Sequence, residues 1–226
     1  MKLLKTILFW IFVCCVPLLI ITSNLRLGIT GLFVYEYGID TYPISEVTGI
    51  SKVELLKVHQ HLIDYYNSKV GTAQVSVQRG GKTIALFSEK ELVHLKDVKG
   101  LYQLDCTVQI VSLLILLACG LIMVLILRER WRKVIKGILW GSGLLLGLVI
   151  FLALWSILGF EQLFVLFHQL SFTNEFWILD PGRDFLIMLF PGEFFYDIVL
   201  FGFGAIILQS LILGGISWSL LKTTKD

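Results

Sequence analysis

Imidazole is the one side chain whose ordinary pKa lets it accept and return a proton near neutral pH. The chain carries four: His59, His61, His94 and His168. His59 and His61 stand two apart in a helical pattern, so they face different directions and cannot share a metal; they read as packing or surface residues. His94 lies one helical turn before Asp97. A carboxylate at that spacing can orient the ring and raise its basicity, or belong to a surface ion pair. His168 lies in the run LFVLFHQLSFTNEFWILDP, among Phe164, Phe167, Phe172, Phe176 and Trp177. Such aromatic residues commonly mark a membrane interface. Both His94 and His168 fall beside the ends of long apolar blocks. Two segments converging there would put general acid–base chemistry at headgroup depth, suited to a lipid or a lipid-anchored substrate.

Other polar residues near these positions are candidates for handling substrate. Arg183 could hold a carbonyl or an oxyanion, or pair with Asp180 or Asp184. Lys99 and Tyr102 follow His94 by one to two turns and could donate hydrogen bonds or anchor in headgroups. Asp197 opens the last apolar block, where an acid is a candidate for function by default. The motifs of other chemistries are missing: no H-E-x-x-H, no phosphate loop and no G-x-S-x-G elbow. Gly137, Gly141, Gly143 and Gly147 read as small-residue helix packing rather than a serine site around Ser142. No metal site and no cofactor is expected. Without a clear nucleophile, direct transfer between two substrate groups is favoured over a covalent acyl-enzyme.

Such residues need elements to hold them, and composition says what those are. Of 226 residues 56% are hydrophobic and only 16% charged, with a mean hydropathy of +0.82. Soluble domains run at about 45–50% apolar and about 25% charged. Four blocks, 1–22, 104–127, 137–159 and 194–221, each exceed or approach the ~20 residues needed to cross a bilayer as a helix. The first is read as a retained helix rather than a cleaved signal, since no small-residue cleavage site follows it. A net charge of +2 gives no reason to expect nucleic acid. No motif fixes an oligomeric state.

Orientation follows the positive-inside rule. Arg128, Arg130, Arg132, Lys133 and Lys136 crowd the segment 128–136 between the second and third blocks. Lys2 and Lys5 open the chain, and Lys222 and Lys225 lie in the tail 222–226. With four spans these share one side, so both termini are expected in the cytoplasm. Segments 23–103 and 160–193 then face outward. Cysteine usage offers no outer disulfide framework: Cys14, Cys15, Cys106 and Cys119 all lie within or beside apolar blocks.

The outer segment 23–103 should form a small α+β subdomain. Ser51 and Glu54 make a capping box before a helix with the apolar stripe Val53, Leu55, Leu56, Leu62, Ile63 and Tyr66. Val75 and Val77 alternate with polar residues before Gly80 and Gly81, which suit a tight hairpin turn. Ser88 and Glu91 form a second capping box, opening a helix that carries His94 toward the second span. The expected class is a membrane α-helical protein: a four-transmembrane-helix bundle with a small extracytoplasmic α+β subdomain between helices 1 and 2.

The segments FSEKELVHLKDVKGL (87–101) and FHQLSFTNEFWILDP (167–181), with LIMLFPGEFF following, resemble the bacterial lipoprotein intramolecular transacylase family. The four-span layout and the long first outer segment also match. The resemblance implies a membrane acyltransferase in the bacterial cell membrane, acting on a lipoprotein whose amino-terminal cysteine bears an S-diacylglyceryl group. It implies that the sn-2 acyl chain moves to the α-amino group of the same cysteine, giving a lyso-form lipoprotein. The family's two functional histidines would fall on His94 and His168. The sequence leaves open which of the two is the base; the working assignment is His168 as base and His94 as acid or oxyanion stabiliser, and the residues themselves offer Arg183, Tyr102, Lys99 and Asp97 as candidate substrate or oxyanion residues. The partners implied are the diacylglyceryl lipoprotein and membrane lipids. The alternative of another class is a non-enzymatic membrane adaptor or immunity protein that binds through the outer subdomain.

Overall fold

The computed structural model describes residues 2–127 and 131–223. Its elements in chain order are α1 (Lys2–Thr30), α2 (Leu32–Thr41), α3 (Ile44–Thr48), α4 (Lys52–Tyr66), β1 (Ser76–Arg79), β2 (Lys82–Ala85), α5 (Glu89–Leu121), α6 (Trp131–Ser171), α7 (Phe185–Leu189) and α8 (Gly192–Thr223). A short π-helix, Ile122–Ile126, continues α5. Among the described residues α1, α5 with its extension, α6 and α8 are long and apolar enough to cross a membrane. Only 11–28% of each apolar window is buried within the molecule. So much exposed apolar surface is at home in lipid rather than water.

Two compact units divide the chain. The first comprises residues 1–25, 105–158 and 200–226, so far as they are described. Here Phe12 and Val16 of α1 pack with Cys119 of α5 and with Met123. Leu145 and Val149 of α6 pack with Ile206 of α8. Small residues set the approach of α1 and α6. A Cβ on Gly141 would lie 2.6 Å from Val16 Cβ and 2.9 Å from the Val13 carbonyl oxygen, and one on Gly137 would lie 2.6 Å from the Phe12 ring. That carbonyl is the one Pro17 leaves without its helical donor. Gly143 and Gly147 have open space beside them, so only Gly137 and Gly141 of the four expected packing glycines work as such.

Polar pairs also tie the spans of this unit. Asn24 and Gln209 exchange two amide hydrogen bonds of 2.9 and 3.2 Å between α1 and α8. Gln109 of α5 donates to Ser23 of α1 at 2.9 Å. Arg132 donates to the Leu221 carbonyl at 3.0 Å. It does so from the first turn of α6, which begins at Trp131, so Arg132, Lys133 and Lys136 stand on a helix rather than in the loop expected over 128–136. Arg128, Glu129 and Arg130 lie outside the described residues, as does Lys225 of the expected tail.

The second unit comprises residues 26–104 and 159–199. Ser51 caps α4, its side chain accepting from the Glu54 N–H. Leu55, Leu62, Ile63 and Tyr66 of the expected stripe are buried. Val53 is 64% exposed, and Val58 and His59 fill the inner face instead. β1 and β2 pair antiparallel with Arg79 opposite Lys82. Gly80 and Gly81 between them have φ of 56° and 75°, the left-handed pair that a two-residue hairpin turn requires. α2 and α3 were not expected; their apolar positions (Val34, Tyr35, Ile39, Ile44) are too few for a clear period. Val34 and Tyr35 pack with Ile63 of α4 and Phe194 of α8. α6 leaves helical geometry at Gly159 (ψ 59°) before its last turns carry His168.

Candidate active site

His94 comes from the second turn of α5 and His168 from the last turn of α6. Their rings lie 6.1 Å apart between centroids and 29° from parallel. Both are nearly closed off, at 7% and 8% exposure. Aromatic rings make the lining. Phe172 lies 5.0 Å from His94 and 5.6 Å from His168. Phe164, Trp177 and Phe167 lie 4.2, 4.9 and 5.3 Å from His168. Four of the five aromatic residues read from sequence as an interface belt are therefore walls of the histidine pair, while Phe176 is 42% exposed.

One hydrogen bond fixes the state of His168. Its Nδ1 sits 2.7 Å from the Phe164 carbonyl oxygen. A carbonyl only accepts, so Nδ1 carries the hydrogen and Nε2 of the neutral ring keeps its lone pair. His94 differs: its Nδ1 is buried with no hydrogen-bond partner among the described residues.

Asp97 does not hold the His94 ring. Its Oδ2 accepts from Asn174 Nδ2 at 2.8 Å. Asn174 Oδ1 in turn accepts from the Phe176 N–H at 3.0 Å. This strut joins α5 to the segment that carries Phe172 and Trp177. The remaining candidates are engaged elsewhere. Lys99 Nζ lies 4.1 Å over the Tyr65 ring. Tyr102 donates to Asn67 Oδ1 at 2.9 Å. Arg183 is exposed and meets Asp184 at 3.5 Å. Asp197 Oδ2 accepts from both Tyr37 and Tyr42 at 2.6 Å. No group of three residues able to hold a metal occurs among the described residues.

Sequence reasoning missed two supports of the site. Asn174 was passed over, although its place in a short polar turn between aromatic residues is a signal. Glu91 was read only as a cap. Its Oε2 does accept from the Ser88 N–H at 2.7 Å, and its Oε1 also accepts from the Leu186 N–H at 2.6 Å. His59 is a packed residue, stacked on Tyr35 at 4.8 Å and edge-on to Phe190 at 5.3 Å. Burial pushes its pKa down to about 4.

Fold and site together define a helical, multi-span protein with a histidine pair in an aromatic pocket. Residues 10–195 match the profile of the family described as lipoprotein intramolecular transacylase Lit. The chain is similar to the membrane-integral lipoprotein intramolecular transacylase Lit from Bacillus cereus, with a TM-score of 0.81 and 23% identity over 99% of this chain and 98% of that one. A second structure of that protein, with one histidine replaced by alanine, gives 0.74 over 98% and 96%. The chain is also 28% identical, over 94% of its length and 95% of the relative's, to an uncharacterised protein of Aquifex aeolicus (strain VF5). This chain belongs to the lipoprotein intramolecular transacylase family and is a membrane enzyme of that class. The binding-only adaptor reading is thereby set aside.

Proposed function

We propose that the enzyme moves the sn-2 acyl chain of an S-diacylglyceryl cysteine onto the α-amino group of the same cysteine, using His168 as base and His94 as its partner. The observation that carries this reading is the facing pair of buried imidazoles, one of them with Nε2 held free to accept a proton. The α-amino group, with a reference pKa of about 7.7–8.0, reaches the site largely as ammonium and must first give a proton to solvent. The neutral nitrogen attacks the ester carbonyl, and His168 Nε2 takes the second proton as the C–N bond forms. The tetrahedral oxyanion needs a donor in place, and His94, facing the same space, can supply an N–H. The bond between carbonyl carbon and glycerol oxygen then breaks. That oxygen takes a proton from the imidazolium and leaves as a free hydroxyl. One amide is gained and one ester lost, with no cofactor required.

Two features favour transfer over hydrolysis. Nucleophile and ester sit in one molecule, which can lower the barrier by up to about 7–11 kcal/mol when they are well held. The aromatic walls keep water from the carbonyl. The distribution of Lys and Arg supports cytoplasmic termini, with the histidine pair on the outer side of the bacterial cell membrane.

The test is fragmentation mass spectrometry of a lipoprotein's amino-terminal lipopeptide, made with and without the enzyme in a host lacking other N-acylation. The expected result is unchanged mass with one chain moved from glycerol to nitrogen. H94Q and H168Q should each abolish the shift. Full activity in either variant would sink the pair.

A further inference from the structure

Beside the histidine pair, and not part of it, lies an open cleft of about 570 Å³. That volume is in the range of small-ligand sites. One wall is the run Ala85–Glu91, from the end of β2 into the first turn of α5; the other is Arg183–Phe185. These walls are distant in sequence and are tied by one buried carboxylate, which reaches Leu186 beside the second wall. Glu91, at 1% exposure, holds the Ser88 N–H with one oxygen and the Leu186 N–H with the other. The opposite wall is fixed at its root: Asp184, 2% exposed, accepts from the Asp180 N–H at 2.8 Å. Hydrogen bonds of buried carboxylates thus hold both walls.

Its place along α5 suggests what it takes. Glu89–Glu91 line the cleft, His94 follows one turn later, and the apolar stretch of the same helix comes after. One turn is about 5 Å of helix, and an extended peptide covers about 3.3 Å per residue. That spacing is short enough for a substrate with its cysteine nitrogen at the imidazoles to reach the cleft with its next few residues. The order of polypeptide and reacting cysteine then runs parallel to that of cleft and histidine.

We propose that this cleft binds the first residues of the substrate polypeptide after the lipidated cysteine, and that Arg183 gives it a preference for acidic residues there. The proposal rests on the transfer reading above. The observation behind the charge preference is the exposed guanidinium of Arg183. The carboxylates of Glu91 and Asp184 are turned inward onto backbone N–H groups, and Lys90 is taken by the Ile178 carbonyl. The Arg183 side chain is 73% exposed, with Asp184 as its ion-pair partner at the long distance of 3.5 Å. Glu89 is the exposed acid of the lining, one residue before Lys90. An acidic substrate residue near Arg183 gains an ion pair, and a basic one there is repelled.

The test uses the full-length enzyme in detergent and synthetic diacylglyceryl lipopeptides with Asp, Ser or Lys at the second to fourth residues. Initial rates of acyl migration are read by mass spectrometry as kcat/KM. The wild type should favour the Asp peptide over the Lys peptide by about two- to fivefold, the scale of an exposed ion pair. R183Q should erase that ratio and R183E should reverse it. A photo-crosslinking residue at Ala85 should label the peptide segment. Migration with no dependence on peptide charge, or an equal loss on every peptide in R183E, would overturn the cleft while leaving the transfer reading intact. No migration on any peptide would overturn the transfer reading, and the cleft with it.

Discussion

The carboxylate of Glu91 reaches Leu186 across 95 residues of sequence, accepting its backbone N–H at 2.6 Å in a fully buried position. The same group closes the capping box on Ser88. One side chain therefore starts the helix that carries His94 and fixes the segment that follows the His168 loop.

Glu91 is for that reason a sensitive position of the second unit. E91A leaves two backbone N–H groups without their acceptor, and a buried unpaired donor costs about 1–3 kcal/mol. Thermal unfolding in detergent should show E91A melting several degrees below wild type. E91Q keeps one carbonyl acceptor and should fall between them. Equal melting of all three proteins would remove Glu91 from this role.

The strut between Asp97 and Asn174 predicts a coupling. D97A and N174A each free the segment that carries Phe172 and Trp177, so each should slow acyl transfer. The double variant should be little worse than N174A alone, because both single variants remove the shared Asp97–Asn174 hydrogen bond and N174A loses the Phe176 N–H contact besides; contacting residues couple by about 0.5–3 kcal/mol. D97N retains an acceptor for Asn174 Nδ2 and should act closer to wild type. Additive losses in D97A and N174A would mean that the two act separately.

The glycines of α6 predict opposite outcomes at neighbouring positions. G141A puts a Cβ into Val16 and the Val13 carbonyl of α1, and overpacking of this kind costs about 1–3 kcal/mol. G143A meets open space and should leave the melting temperature unchanged or raise it, as alanine is the better helix former. Melting curves of the two variants side by side decide this. A stable G141A would show that α1 is free to shift.

The four spans, the hairpin turn and both serine helix caps were legible because each is local: an apolar run, two adjacent glycines, a serine three residues before a glutamate; the box closes at Ser88 and Glu91, while the Glu54 carboxylate turns to Lys57. The histidine pair was legible in part. Its residue types and apolar flanks were visible, while the 6.1 Å approach depends on two segments distant in sequence. The helix pattern placed Asp97 beside His94, and the partner it takes, Asn174, is 77 residues away. Lys99 and Tyr102 were expected near the site by the same local logic, and α4 with Asn67 beyond its end engages them instead. Spacing within one helix says which face a side chain shares, and nothing of what that face meets.

His59 predicts how stability responds to acid. It stacks between Tyr35 and Phe190 at 1% exposure, and burial lowers its pKa to about 4 against an ordinary value near 6.5. The folded protein thus holds the neutral ring, while the unfolded chain takes up a proton below about pH 6.5. Unfolding then binds protons between those values, so stability must rise with pH across that window. It is fully present above about pH 6.5 and declines as pH falls toward 4, by about 3 kcal/mol from this residue alone. H59F keeps an aromatic ring in the stack and has no proton to bind. Its melting temperature should fall less than that of wild type between pH 7 and pH 4.5, with the carboxylates common to both cancelling in the difference. Parallel pH profiles for the two proteins would show that the ring is protonated in the folded state, and that His59 is not sealed by its aromatic neighbours.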